Sequence, residues 1–230
     1  MIQIMERDVG LMQWMLEQKF MDAGQVRGVF WKEAKAESKE VHRRLRELEK
    51  TEFIKRSGKD IFRFLLYVVT KKGLRVLSSL GNTRGLSVLD DVDYSSYRHD
   101  SEVTDLRIWF HNQGFTEWLS ERVLAKHYSL RHLPDGMLYH GGQYLAIEYE
   151  TAQKSRQRYR DIIYNYELED QVSEVLYIVG NERLKVKLKE MASSCEKIHF
   201  RTPVDLKGQL ADTSLTGLNF FAQTGYACSA

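Results

Sequence analysis

Proline is nearly missing from this chain: Pro134 and Pro203 are the two among 230 residues, and no internal repeat or low-complexity tract interrupts it. Cysteine is equally scarce. Cys195 and Cys228 stand far apart and form no CxxC pair, which argues against a zinc site and fits reduced thiols in a cytoplasm. The longest apolar run, residues 64–69, is far too short to span a bilayer, so no membrane partner is expected. Glu6 and Asp8 fall early in the chain with no long apolar stretch around them, and no signal peptide is expected. Net charge is only +2, so an argument for nucleic-acid binding rests on where positive charge sits and not on its total.

What is present is the composition of an ordinary globular protein. The chain has 43% hydrophobic and 29% charged residues in 27.0 kDa, enough for one large domain or two small ones. Val9, Met12, Met15, Leu16 and Phe20 recur at helical spacing and predict an amphipathic helix. A shorter helix is predicted over 23–31, with Val26, Val29 and Phe30 on one side. A third is predicted over 38–50, with Val41, Leu45 and Leu48 inward and Arg43, Arg44, Arg46 and Lys50 outward or flanking. Residues 53–56 and 61–70 then read as strands around the turn Ser57-Gly58-Lys59-Asp60. Thr70 caps a fourth helix over 71–80, which Gly81 ends.

Three helices, a two-stranded wing and a closing helix make the order of a winged helix-turn-helix over residues 1–82. The third helix is the expected recognition helix, offering Arg43, Arg44, Arg46 and Lys50 to phosphates and guanine edges of double-stranded DNA. Lys55, Arg56 and Lys59 on the wing would reach the adjacent backbone. The alternative is a basic, solvated helix face in a packing or dimerisation domain.

Residues 83–100, with glycine, serine, asparagine and acidic residues, read as a linker. A second domain is predicted over 101–210, followed by a tail, 211–230, that is disordered or forms an interface. Its elements are a helix over 103–110, a short segment of strand or helix around Trp118 to Val123, and a hairpin. A long helix over 151–170, a buried central strand over 175–180, a helix over 182–191 and a last strand over 197–201 follow. This is an α/β domain, and the whole chain is expected to be α+β. Trp31, Trp109 and Trp118 read as core or packing residues.

The hairpin carries the chemistry. Gly141-Gly142 supplies the positive-φ positions of a tight turn between residues 137–140 and 143–150. Alternation places Tyr144, Ala146, Glu148 and Glu150 on one face and Leu145, Ile147 and Tyr149 on the other. Asp135 enters beside the end of the second strand, so three carboxylates can converge, an arrangement suited to a hard divalent cation. Each part also has an ordinary reading. Asp135 in Pro-Asp-Gly is a common turn residue, and alternating acids suit a solvent-facing strand.

Asp135, a hairpin, Glu148 and Glu150 with one residue between them, and then a helix resemble the restriction-endonuclease core known by its PD-(D/E)xK signature. With a winged helix before it, the chain from about Val9 to Arg201 resembles the replication-relaxation family of plasmids and other mobile elements. The resemblance implies that Asp135 and Glu148, beside the carbonyl of Tyr149, bind Mg²⁺ or Mn²⁺ that polarises a phosphate and activates water. It puts the family's lysine at Glu150. A glutamate can bind metal or act as a base but cannot supply that positive charge, and Lys154, one turn further on, is the candidate to replace it.

Gln157, Asp161 and Tyr164 share a helix face with Lys154 and are expected to line the site. His99, Glu102 and Asp105 are accessory candidates from the preceding helix. Lys126, His127, Arg131 and His132 would either hold a phosphate or form a solvated loop. The implied function is a cytoplasmic DNA-binding protein of a mobile element, acting in plasmid or transposon replication, mobilisation or their regulation. Its expected partners are duplex DNA, a second copy in a homodimer and proteins of a replication or mobilisation complex. The alternatives are an active Mg²⁺-dependent endonuclease and a transcriptional regulator or protein-interaction module without nuclease activity.

Overall fold

The computed structural model describes residues 2–33, 39–57, 65–150 and 152–205. The chain divides into two units, Met1–Thr116 and Glu117–Ala230, each mixing helix and sheet, so the protein is α+β. Among the described residues no helix is long and apolar enough to cross a membrane. The predicted tail, 211–230, and the wing residue Lys59 lie outside the described residues.

The first unit runs α1 (Glu6–Glu17), β1 (Met21–Asp22), α2 (Ala23–Phe30), α3 (Glu40–Lys50), β2 (Ile54–Ser57), β3 (Leu66–Val69), α4 (Lys71–Ser79) and α5 (Tyr97–Asn112). Met12 and Met15 of α1, Val26 of α2, and Leu45 and Leu48 of α3 are fully buried, which is the apolar face that their spacing predicts, and Leu11 joins them. Asp22 starts α2 by accepting the amide of Gln25 at 2.8 Å, while the Gln25 side chain accepts the amide of Asp22 at 3.1 Å. Thr70 caps α4 as expected, its hydroxyl accepting the amides of Lys72 and Gly73. The three strands pair antiparallel in the order β1-β3-β2. Sequence reasoning misses β1, because two residues carry no periodicity; Met21 is held by pairing opposite Tyr67.

The domain boundary predicted at residues 83–100 is corrected. Helix α5 belongs to the first unit and is fastened to it by long-range polar contacts. Lys19 Nζ meets Asp100 at 2.7 Å, Gln25 Nε2 donates to Asp105 at 2.9 Å, and Arg107 Nη2 meets Glu17 at 2.7 Å. Such contacts leave no trace in local spacing.

The second unit runs β4 (Trp118–Ser120), α6 (Glu121–His127), β5 (Gly136–His140), β6 (Gln143–Glu150), α7 (Arg156–Glu167), β7 (Glu174–Val179), α8 (Glu182–Met191) and β8 (Ile198–Arg201). Its sheet has the order β4-β5-β6-β7-β8, antiparallel from β4 to β6 and parallel from β6 to β8. The parallel pairs need crossovers, which α7 and α8 provide. Strand β7, predicted from its apolar run, is buried along its whole length between two neighbours. Tyr159, Ile162, Ile163 and Tyr166 turn inward from α7 onto Ala146, Val175, Tyr177 and Val179.

Gly136 opens β5 because nothing larger fits. A Cβ there would lie 2.1 Å from the ring of Trp118, itself 2% exposed on the neighbouring strand. Gly136→Ala is expected to destabilise the second unit by about 1–3 kcal/mol or more through overpacking, read as a lowered thermal midpoint. An unchanged midpoint would show that the indole is not seated there.

Candidate functional site

The hairpin turn forms as its sequence predicts. Gly141 and Gly142 have φ of 58° and 83°, closing a two-residue loop beyond the pair His140↔Gln143. The register pairs Gly136 with Ile147, so Asp135 is the next position opposite Glu148. One Asp135 oxygen accepts the amide of Tyr149 at 2.7 Å. The two acids assigned to a metal by the family resemblance are thus cross-strand neighbours, and the charge of Asp135 helps to raise the pKa of Glu148.

The acids do not face solvent. Glu148 and Glu150 are each 5% exposed, because their face of β6 is the one that α7 covers. Glu148 Oε1 accepts the hydroxyl of Tyr166 and lies 2.9 Å from Nε2 of His132. Glu150 Oε2 meets Lys154 Nζ at 2.6 Å and accepts the hydroxyl of Tyr177 at 3.1 Å. Tyr159 accepts the backbone amide of Lys154 at 2.9 Å, which fixes the loop before α7. Burial, with the adjacent carboxylates second, holds the Tyr166 and Tyr177 hydroxyls protonated as donors.

The structure therefore brings Asp135, Glu148, Glu150 and Lys154 into one polar cluster, but each acid already has its own donors. Among the described residues no group of three or more His, Cys, Asp or Glu side chains is disposed to hold a metal. Of the three carboxylates expected to converge, Glu150 is paired with Lys154. The tyrosines were missed by sequence reasoning. Tyr159 and Tyr166 are seven residues apart on the apolar face of α7, which reads as core, and only the fold shows the Tyr166 hydroxyl meeting Glu148 and the Tyr159 hydroxyl meeting the Lys154 amide.

Gln157, Asp161 and Tyr164 do not line this cluster. They lie opposite the buried face of α7; Gln157 donates to Asp161 in solvent, and Tyr164 is 60% exposed. The helix-face argument failed because Lys154 precedes α7, which begins at Arg156 after the cap Ser155. Glu102 pairs with Arg98, and Asp105 accepts Gln25, both inside the first unit; His99 is likewise on α5. His132 is engaged with Glu148, and Arg131 donates its Nε to the backbone carbonyl of Leu168.

Burial raises the Glu148 carboxyl above its ordinary value of 4.5, with His132 and Tyr166 opposing the shift. The folded chain then retains a proton at pH values where the unfolded chain has released it. The associated stability is complete below about pH 4.5 and is lost as pH rises through the raised value. Glu148→Gln keeps an acceptor for Tyr166 and removes the titration. Its thermal midpoint is expected to fall less than that of the wild type as pH rises above about 4.5. Matching pH profiles would show that this carboxylate is not controlled by burial.

On α3 the basic residues separate into two kinds. Arg44 is not available to DNA, which corrects its assignment: its Nε donates to Asp8 at 2.9 Å, its Nη2 contacts the other oxygen of that buried acid, and its Nη1 meets Glu47 at 2.9 Å. Two carboxylates push its pKa well above the usual arginine value. Arg56 pairs with Glu49, and Lys55 donates to the carbonyl of Asp90 at 2.9 Å. Lys39, His42, Arg43, Arg46 and Lys50 are different. All are exposed, and at about 100° per residue they fall within an arc of about 100°. None forms a side-chain ion pair among the described residues, and Glu40, Glu47 and Glu49 fall outside the arc.

Comparison with protein families, curated proteins and solved structures finds no match for this chain.

Proposed function

We propose that this chain is a duplex-DNA-binding protein of a mobile element, acting in plasmid or transposon replication, mobilisation or their control. The reading keeps the resemblance to the replication-relaxation family. Its main support is the acid-free basic arc of α3, on a unit whose helices and three-stranded sheet follow the winged helix-turn-helix order. Two of the three acids of α3, Glu47 and Glu49, are paired with Arg44 and Arg56, and the third, Glu40, falls outside the arc, so the arc itself is positive although the chain is nearly neutral. A partner carrying regularly spaced phosphates complements such a face. Gel-shift titration is the test. Binding to duplex DNA is expected, with log K falling linearly as log salt rises; no binding at low salt sinks the reading.

A second reading, a Mg²⁺- or Mn²⁺-dependent endonuclease, is favoured by the antiparallel meander followed by a helical crossover and by Lys154 beside Glu150. Mg²⁺ is commonly held by one or two carboxylates with substrate phosphates completing its shell, a donor set that Asp135 and Glu148 would supply. When bound, the ion would polarise a phosphoryl oxygen. The chain's own part would be to orient Glu148 through Tyr166 and to keep the Lys154 ammonium beside the acids. Nicking of supercoiled DNA that is lost in Asp135→Ala and Lys154→Ala supports this reading. If nicking appears with neither metal, the second unit is left as a DNA-contacting or dimerising module.

A further inference from the structure

Within the basic arc the five side chains are not equivalent. Counting from His42 at one edge to Arg43 at the other, Arg46 falls near the middle of the arc and near the middle of the helix. It is also the one that is tied down. Its Nε donates to the carbonyl of His42, one turn earlier, at 3.1 Å. That bond fixes the guanidinium plane and leaves both terminal nitrogens without a partner among the described residues. A guanidinium held by Nε presents its two terminal N–H groups as a fork, the donor geometry that matches O6 and N7 of guanine.

Lys39 and Lys50 lie on nearly the same line of the helix, at its two ends. Eleven residues at 1.5 Å each separate them by about 16 Å, more than the ~12 Å width of the major groove. A helix seated with Arg46 toward the groove floor thus carries Lys39 and Lys50 toward its phosphate rims, with Arg43 at the flank of the arc. Flexible ammonium groups suit phosphates as point charges, whereas the fork suits a base edge.

We propose that Arg46 reads a guanine in the major groove, its fork held by the His42 carbonyl, while Lys39, Arg43 and Lys50 bind phosphates. This assignment rests on the DNA-binding reading and goes beyond it by separating the residue that specifies sequence from those that only position. Because RNA duplexes hide their major groove, the face suits DNA of B form.

The test is selection of sites from a randomised duplex library by the full chain, followed by affinity and salt titration on the selected site and on random duplex. The wild type is expected to select a site with an invariant G·C pair. Arg46→Ala should lose preference at that pair and bind the selected site on the order of ten- to a hundredfold less tightly, with random-duplex affinity nearly kept. Arg46→Lys keeps the charge and the salt slope but lacks the fork, so it should lose the preference as well. Arg43→Ala and Lys50→Ala should weaken both duplexes equally and reduce the salt slope by about one each. Full preference in Arg46→Lys, or equal losses on both duplexes in Arg46→Ala, overturns the assignment while DNA binding stands. Duplex binding without any base preference, or tighter binding to RNA of the same length, overturns it too. A wild-type chain that binds no duplex overturns the DNA reading itself.

Discussion

Lys39, Arg43 and Lys50 replaced together by alanine are expected to cost the protein on the order of a hundredfold in duplex-DNA affinity at about 0.15 M salt. The size follows from counterion release. Each phosphate neutralised contributes a slope of about 0.9 in log K against log salt, or about 0.7 of a decade at that concentration, and three contacts sum to about two decades. The slope itself should fall by nearly three. All three side chains are exposed and bond to no described acid, so the fold is expected to survive and circular dichroism should be unchanged. Arg44→Ala is the contrasting control. It strands Asp8, which is fully buried, and should lower stability while leaving the salt slope alone. If the triple variant retains wild-type affinity and slope, α3 is not the DNA face.

Glu17→Ala should be the most damaging single change to the first unit, by about 3–5 kcal/mol. Glu17 is 1% exposed and receives Arg107 at 2.7 Å and Arg84 at 3.1 Å. Arg107 is 5% exposed; its Nε and Nη1 have no hydrogen-bond partner, and its guanidinium lies 3.9 Å over the ring of Trp14. Burial lowers its pKa, and the Glu17 charge is what opposes that shift. Without Glu17 a buried cation faces only an aromatic ring. At roughly 4 °C per kcal/mol for a unit of about this size, the thermal midpoint should drop by about 10–20 °C. The double replacement Glu17→Leu with Arg107→Met removes both charges and should recover most of the loss, because a buried pair adds little over apolar packing of equal volume. A drop of only a few degrees in the single variant would mean that this pair is solvated.

The helices and strands were legible where a local pattern declares them. The α8 span was predicted to the residue, α3 and β7 within two, and the glycine pair gave the hairpin its turn. Near Trp118 the sequence left strand and helix open, and both occur in succession as β4 and α6, too short for either period to show. The acids Asp135, Glu148 and Glu150 were found from their types and order, but whether they faced water was not, since alternation fixes which residues share a face and not which face is covered. Gln157 and Tyr164 were misplaced because α7 begins only at Arg156, after Lys154.

By itself the sequence determined most of the order of elements, the turn at Gly141-Gly142, and the amphipathic split of α3. Tertiary structure alone decided that α5 joins the first unit, that Arg44 is spent on Asp8, and that Glu148 and Glu150 lie beneath α7 with tyrosines as donors. The reason is distance along the chain. Spacing reports neighbours within a turn or a strand, whereas these outcomes depend on contacts across 90 residues for Arg107 and Glu17, 36 for Arg44 and Asp8, and 18 for Tyr166 and Glu148.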